Sequence, residues 1–171
     1  MEIRITPFES LSLIDFHDIV ALRMTVFVVE QNCPYQDLDG KDLKSFQVTV
    51  RDAQTKTMIG TARILPAGIS YKEVSIGRVA SHPDYRDQKV GHILMKTCME
   101  FIDKEMQNPD IRISAQSYLC KFYAQYGFVS TGKKLQQNPD GLGRTVFGQN
   151  LDNKFFYFKF LARQNLGDNR Q

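Results

Sequence analysis

The chain has 171 residues, with 22 Lys and Arg against 19 Asp and Glu, 42% hydrophobic and 24% charged, a composition that predicts one globular domain with its own core. Its longest apolar runs, such as Val26 to Val29 and Phe155 to Phe158, fall far short of the ~20 residues that span a bilayer, and Met1-Glu2-Ile3-Arg4 lacks the apolar core of a signal peptide. A transmembrane protein is therefore excluded at this level and a cytoplasmic rather than an exported one expected, with Cys33, Cys98 and Cys120 as reduced thiols and no structural metal.

Glu2 to Thr6 alternates as a strand. Ser10 to Gln31 carries Leu13, Phe16, Val20, Met24 and Phe27 at helical spacing behind Ser10, a capping residue type, and Pro34 then forces an irregular connection. Phe46, Val48 and Val50 alternate with polar residues, Asp52 to Lys56 reads as a turn, and Met58 to Leu65 returns, which predicts a hairpin. Val74 to Ser81 is a further strand ended by His82-Pro83, since proline cannot donate into a ladder.

Gln88 to Glu105 is the clearest helix, with Val90, Ile93, Leu94, Thr97, Cys98, Phe101 and Ile102 on one stripe and Asn108-Pro109 closing it. Ile111 to Ala115 is a short buried-type strand, so Val74 to Ala115 forms a strand–helix–strand crossover and implies parallel pairing. Ser117 to Tyr126 reads as a short helix ended by Gly127, Phe128 opens another strand, and Phe155 to Phe160 is the last one. No repeat or linker interrupts the chain. The expectation is one domain over residues 1–163 with a frayed tail at 164–171, and a fold of the α+β, or mixed α/β, class.

Charge is distributed unevenly: residues 1–85 carry 9 bases and 11 acids, residues 86–171 carry 13 bases and 8 acids. Glu30, Asp37, Asp39 and Asp42 lie close together with only Lys41 between them, which reads either as a field for a cationic amine or, more simply, as a solvated loop. The bases of the second half form no stripe, so no nucleic-acid partner is expected, nor a membrane partner; a homodimer is left open. Between the Val74 strand and the long helix, Arg86-Asp87-Gln88-Lys89-Val90-Gly91-His92 would offer free backbone N–H groups and a positive helix end to an anion such as a pyrophosphate. It matches neither the G-x-x-x-x-G-K-[ST] phosphate loop nor the G-x-G-x-x-G turn, and a charged helix start is the simpler alternative.

Ser81-His82-Pro83, then Arg86-x-x-Lys89-Val90-Gly91, then Gln116 followed by Phe122-Tyr123-x-x-x-Gly127-Phe128, resembles the GNAT superfamily of acyl-CoA-dependent N-acetyltransferases. Leu22-Arg23-x-x-Val26-Phe27-Val28-Val29-Glu30-Gln31, Cys33-Pro34-Tyr35-Gln36-Asp37-x-Asp39 and Ile76-Gly77-Arg78-Val79 narrow the resemblance to the ElaA-like branch, over about Ala21 to Phe128. Lys89 stands where the superfamily pattern usually has its middle glycine, a departure shared by that branch. Near the end, Pro139-Asp140-Gly141-Leu142-Gly143-Arg144 replaces a segment that in the branch often reads close to E-D-G-I-P-H, so its histidine is missing here.

The resemblance implies a central mixed, mostly antiparallel sheet splayed at one point and flanked by helices. It further implies acetyl-CoA as cosubstrate, its pyrophosphate on residues Arg86 to His92, its pantetheine arm paired with Val79 and Ser81, and Gln116 hydrogen-bonded to that arm. Tyr123 then stands at the general-acid position beside the sulfur, with aromatic packing as its alternative role; for Gln116 the alternative is a helix cap. The acceptor expected is a primary amine of a small molecule or peptide, attacked by direct transfer. Its ammonium form has a pKa of about 10.4, so a base is needed, and Glu30 is preferred over Asp39, Glu73 and His82. Arg23, Phe27, Asp39 and Arg78 are the expected acceptor wall, with pairing among the charged groups as the competing role. A cysteine acyl-enzyme ranks below direct transfer, because neither Cys33 nor Cys120 has an adjacent histidine and Cys98 lies on the apolar stripe. Three other functions stay open: an acyltransferase like the acyl-homoserine lactone synthases, which share Arg23-x-x-x-Phe27 but usually carry a tryptophan this chain lacks, a non-catalytic acyl-CoA binder, and an interaction module whose apolar tail strand pairs with a partner chain.

Overall fold

The computed structural model describes residues 1–107, 109–135 and 144–149. They fall into two compact units, Met1–Pro109 and a second beginning at Asp110.

The first unit is built on four antiparallel strands: β1 (Glu2–Pro7), β2 (Phe46–Arg51), β3 (Met58–Leu65) and β4 (Val74–Ser81), paired in that order. The expected hairpin is present. Its turn is fixed by the Asp52 carboxylate, which accepts hydrogen bonds from the Gln54 and Thr55 N–H groups at 2.9 and 2.8 Å. Helix α1 (Leu13–Met24) starts at Ser12, whose Oγ accepts from the Asp15 N–H, two residues later than the expected Ser10. It runs on as a wider π-helical turn, Thr25–Glu30. The face it buries is Ile19, Leu22, Arg23 and Val26, packed with Met58 and Ala80 of the sheet, so Leu13 of the expected stripe is 88% exposed. The apolar spacing misread this helix because one of its core positions is an arginine. Arg51 of β2 fixes the helix start, reaching Asp15 at 2.9 Å and Asp18 at 2.8 Å.

Helix α2 (Val90–Glu105) forms where expected, two residues after Gln88; Val90, Leu94, Cys98 and Ile102 of the expected stripe are buried, with Met95 and Met99 beside them in place of Ile93, Thr97 and Phe101, which are half-buried. Its first turn lies close on the sheet at Gly60 of β3: a Cβ there would meet Val90 Cγ1 at 2.5 Å and Leu94 Cδ1 at 3.2 Å. Only a residue without a side chain permits that approach.

The second unit contains β5 (Ile111–Gln116), a short helix α3 (Cys120–Ala124), β6 (Val129–Leu135) and β7 (Arg144–Gln149), with β7 antiparallel to both β5 and β6. The short helix and the strand after Phe128 were expected. Strand β7 was not, because Thr145-Val146-Phe147 is a short apolar stretch bounded by Gly143 and Gly148. The strand expected at Phe155 to Phe160, the frayed tail and nearly all of the atypical Pro139 to Arg144 segment lie outside the described residues. Among the described residues, no helix is long and apolar enough to cross a membrane, and no group of His, Cys, Asp and Glu could hold a metal ion.

Candidate active site

Strand β4 does not pair evenly with β3. Thr61 faces Ala80 and Arg63 faces Gly77, so Arg78 and Val79 together oppose Ala62: a one-residue bulge. Arg78 adopts the left-handed conformation, φ +53°. For a residue with a Cβ this costs about 1–2 kcal/mol, which is why glycine is usual at such a position. The bulge takes Val79 out of register with β3, whereas Ser81 remains opposite Gly60.

The Arg78 side chain does not reach into solvent. Its Nε lies 2.8 Å from Asp37 Oδ1, its Nη2 donates to the Asp37 carbonyl at 2.9 Å, and its guanidinium sits 5.4 Å from the Tyr35 ring centre. Asp37 also meets Arg23, 2.7 Å from Nη2, and accepts the Tyr35 hydroxyl at 2.6 Å. Arg23, with 0% exposure, donates to both oxygens of Asp42 at 2.8 and 3.2 Å. Arg63 completes the set, donating to Asp39 at 2.7 and 2.9 Å and lying 3.2 Å from Asp42. Three arginines thus match three aspartates across α1, β3, β4 and the segment from Asp37 to Asp42.

Burial tends to raise the pKa of Asp39, but hydrogen bonds and charge from Arg63 outweigh it and hold the carboxyl below its ordinary range. Burial acts likewise on Asp42, where Arg23 and Arg63 prevail and the net direction is down. Burial and the hydrogen bond to Asp37 push the Tyr35 phenol well up. The acidic run is therefore neither an open field for a cation nor a solvated loop. Of the expected acceptor wall, Arg23, Asp39 and Arg78 enter one network, Arg23 paired with Asp37 and Asp42, Asp39 with Arg63, and Arg78 with Asp37 and, at 3.4 Å, Asp39, while Phe27 packs against the Ile19, Leu22, Val26 cluster.

Past Ser81 the chain turns through a 3-10 segment, Pro83–Gln88, capped by His82, whose Nδ1 accepts from the Asp84 N–H. Lys89 then takes a left-handed conformation, φ +57° and ψ +28°, and α2 begins. This accounts for the glycine usual at the position. The Lys89 N–H donates to the Arg86 carbonyl, and the His92 and Ile93 N–H groups donate to the Lys89 carbonyl. At the first helical positions, the Val90 and Gly91 amides have no carbonyl one turn back within the helix. Asp87, Gln88 and Lys89 are exposed beside them. Burial and the Lys89 charge lower the His92 pKa below its ordinary value.

Arg86 is held from the far side by Glu30, at the end of the π-helical turn, through bonds of 2.7 and 2.5 Å. That hydrogen bond and charge lower the Glu30 pKa. A carboxylate stabilised by a bidentate arginine is a poorer proton acceptor, which weighs against the expected general-base role of Glu30. The thiol of Cys98, buried in α2, is pushed up by burial and is no nucleophile at neutral pH.

In the second unit, Tyr123 on α3 is 4% exposed and packs edge-on against Phe122 and Phe128 and at a tilt on Phe147, with centroids 5.1, 6.2 and 5.8 Å away. Its carbonyl accepts from the Tyr126 and Phe128 N–H groups, which closes the helix at Gly127, φ +80°. Gln116 is buried at the end of β5 and makes no side-chain cap to the turn that follows, so the helix-cap alternative is set aside.

Sequence reasoning missed Tyr35, Asp37, Asp42 and Arg63 as partners and Gly60 as the seat of α2. The Asp37-x-Asp39-x-x-Asp42 spacing was visible, but Arg63 and Arg78 reach it only through the sheet.

The acetyltransferase (GNAT) domain family matches residues 23–142. The protein ElaA of Escherichia coli is 36% identical over 119 residues, covering 70% of this chain and 78% of that one. A UPF0039 protein of Schizosaccharomyces pombe is 36% identical over 122 residues, 71% of this chain and 79% of its own. Among solved structures, E. coli ElaA superposes with a TM-score of 0.79 at 29% identity, covering 87% of this chain and 99% of that one. An acyl-CoA N-acyltransferase from Pseudomonas aeruginosa gives 0.79 at 27% identity, covering 88% and 100%. The expected GNAT-like α+β fold and the ElaA-like resemblance are both borne out.

Proposed function

The chain belongs to the GNAT acetyltransferase family, and on that premise we propose that it takes an acetyl group from acetyl-CoA and passes it directly to a primary amine of a small molecule or peptide. The observation that carries this reading is the succession of a bulged β4, a capped 3-10 turn and a left-handed Lys89 opening α2. One stretch of chain, residues 78–92, thereby combines an irregular strand with a helix start suited to a pyrophosphate.

Bound acetyl-CoA supplies a thioester carbonyl open to attack and a thiol leaving group. The Val90 and Gly91 amides, with the charges of Arg86 and Lys89, hold the pyrophosphate; Asp87, Gln88 and His92 complete the turn around it. Val79 and Ser81 pair with the pantetheine arm as an added strand would, Gln116 hydrogen-bonds it, and the Val79 N–H polarises the carbonyl. The amine nitrogen bonds to the carbonyl carbon, the C–S bond breaks, and the Tyr123 phenol gives its proton to the sulfur. The proton lost by the amine goes to water, since Glu30 is committed to Arg86. Phe27 lines the acceptor side, shaped by the paired Arg23, Asp39 and Arg78 without a free charge from them. We place the reaction in the cytoplasm, where thiols such as those of the three free cysteines stay reduced.

Thiol release from acetyl-CoA, measured with a panel of polyamines, amino acids and peptide amines, tests this. Tyr123→Phe should lower kcat by roughly a hundredfold while CoA affinity holds, because one proton transfer is removed. Equal turnover of mutant and parent, with chemistry limiting, would reduce Tyr123 to packing. A protein that binds acetyl-CoA but acylates no amine in the panel would favour the acyl-CoA binder.

A further inference from the structure

The bulge in β4 places an arginine in a conformation that glycine adopts without strain, so something must hold it there. Three close contacts do, the Asp37 carboxylate on Arg78 Nε, the Asp37 carbonyl on Nη2 and the Tyr35 ring under the guanidinium, with a longer fourth from Nη2 to Asp39 Oδ2 at 3.4 Å. Asp37 is itself fixed on its other side, since Arg23 of α1 lies against its second carboxylate oxygen and the Tyr35 hydroxyl against its first. Asp37 is thus a buried bracket between the helix and the irregular point of the strand. Without it, the Arg78 side chain loses its close, two-point carboxylate and carbonyl contact and keeps only the long one to Asp39 against the strain of the left-handed backbone. The strand can then relax towards even pairing with β3, returning Val79 to the ladder.

We propose that Asp37 is a positioning residue for the acyl donor: acting through Arg78, it holds the β4 bulge that keeps the backbone at Val79 available to the pantetheine arm. This rests on the acyl-CoA reading above. It differs from a general structural role in one respect, which is the order of substitutions at position 78. A clamp on a strained backbone predicts that glycine, which needs no clamp, serves better than lysine, which keeps the charge but not the two-point contact. A role for the charge itself, towards an acceptor or for the fold, predicts the reverse.

The test is titration calorimetry on the full chain with two probes, acetyl-CoA and adenosine 3′,5′-bisphosphate, the second lacking the pantetheine arm. Asp37→Asn and Arg78→Lys should weaken acetyl-CoA by about tenfold, the population cost of an unclamped left-handed residue, and leave the bisphosphate within about twofold. Arg78→Gly should lie closer to the parent than Arg78→Lys. In the Arg78→Gly background, Asp37→Asn should add little further loss of acetyl-CoA affinity. Parallel weakening of both probes, or a lysine variant better than the glycine variant, would overturn the clamp. Should Asp37→Asn fail to fold, the order at position 78 decides alone. A parent that binds neither probe would overturn the acyl-donor reading and the clamp with it, whereas a parent that binds both with the wrong order of variants overturns the clamp only.

Discussion

Gly60→Ala is a one-carbon perturbation that tests how α2 is seated. The added Cβ would lie 2.5 Å from Val90 Cγ1, whereas ordinary contacts begin near 3.4 Å, so the first turn of α2 must retreat by about 1 Å or Val90 must leave its rotamer. Overpacking of this kind costs about 1–3 kcal/mol, and the stiffer unfolded chain returns about 0.4–1 kcal/mol of it. A net loss of about 1–2 kcal/mol lowers Tm by about 2–8 °C in a chain of this length. The displaced residue, Val90, is also the first of the helix whose amides are assigned to the pyrophosphate, so CoA affinity should fall by about tenfold, equivalent to part of one charge-assisted hydrogen bond. Calorimetric unfolding and CoA titration read the two effects, and Gly60→Ala/Val90→Ala should recover most of both by making room. A Gly60→Ala protein as stable as the parent, with unchanged CoA affinity, would refute this seating of the helix.

Arg23→Met leaves Asp37 and Asp42 short of a buried partner and should lower stability by about 3–5 kcal/mol in chemical denaturation; a loss below about 1 kcal/mol would contradict the network. Asp39 and Asp42 have native pKa values below the ordinary 3.8, so the stability they contribute is full above about pH 4 and is lost as pH falls through the lowered native values. Thermal unfolding between pH 6 and pH 2 should therefore show a decline below about pH 4 that Asp42→Asn flattens; equal slopes would deny the shift. Lys89→Gly removes about 1–2 kcal/mol of left-handed strain and adds back about 0.5–1 kcal/mol of chain entropy, so Tm should stay level or rise by a few degrees. A drop in Tm would contradict the cap geometry.

Helix α2 was legible because its apolar period is long and uninterrupted from Val90 to Ile102. The hairpin was legible from Asp52, whose side chain closes its own turn. Helix α1 was read with its buried face turned, because Arg23 enters the core on the strength of Asp37 and Asp42, partners 14 and 19 residues away that no periodicity reveals. The same holds for Glu30, whose bond to Arg86 spans 56 residues. The turn between β4 and α2 was legible, as was Lys89 as a departure from the family pattern. What the sequence could not supply was the conformation at Lys89 and at Arg78, since left-handed residues with side chains carry no local signature. Strand β7 escaped for a different reason: its strand-forming run is only Thr145-Val146-Phe147, bounded by Gly143 and Gly148, and it is completed by pairing with β5 and β6.

The claim on which the rest depends is that residues 86–92 hold the pyrophosphate of an acyl-CoA. Titration calorimetry of the full chain with CoA, parent against Gly91→Glu, measures it most directly. The account predicts saturable binding by the parent, with thermal stabilisation of about 2.7 kcal/mol at a hundredfold excess over Kd. It also predicts loss of binding in Gly91→Glu, whose negative, bulky side chain stands at the helix start, with the unligated protein still folded. Absence of heat and of any thermal shift for the parent at millimolar CoA, or undiminished binding by Gly91→Glu, would contradict it.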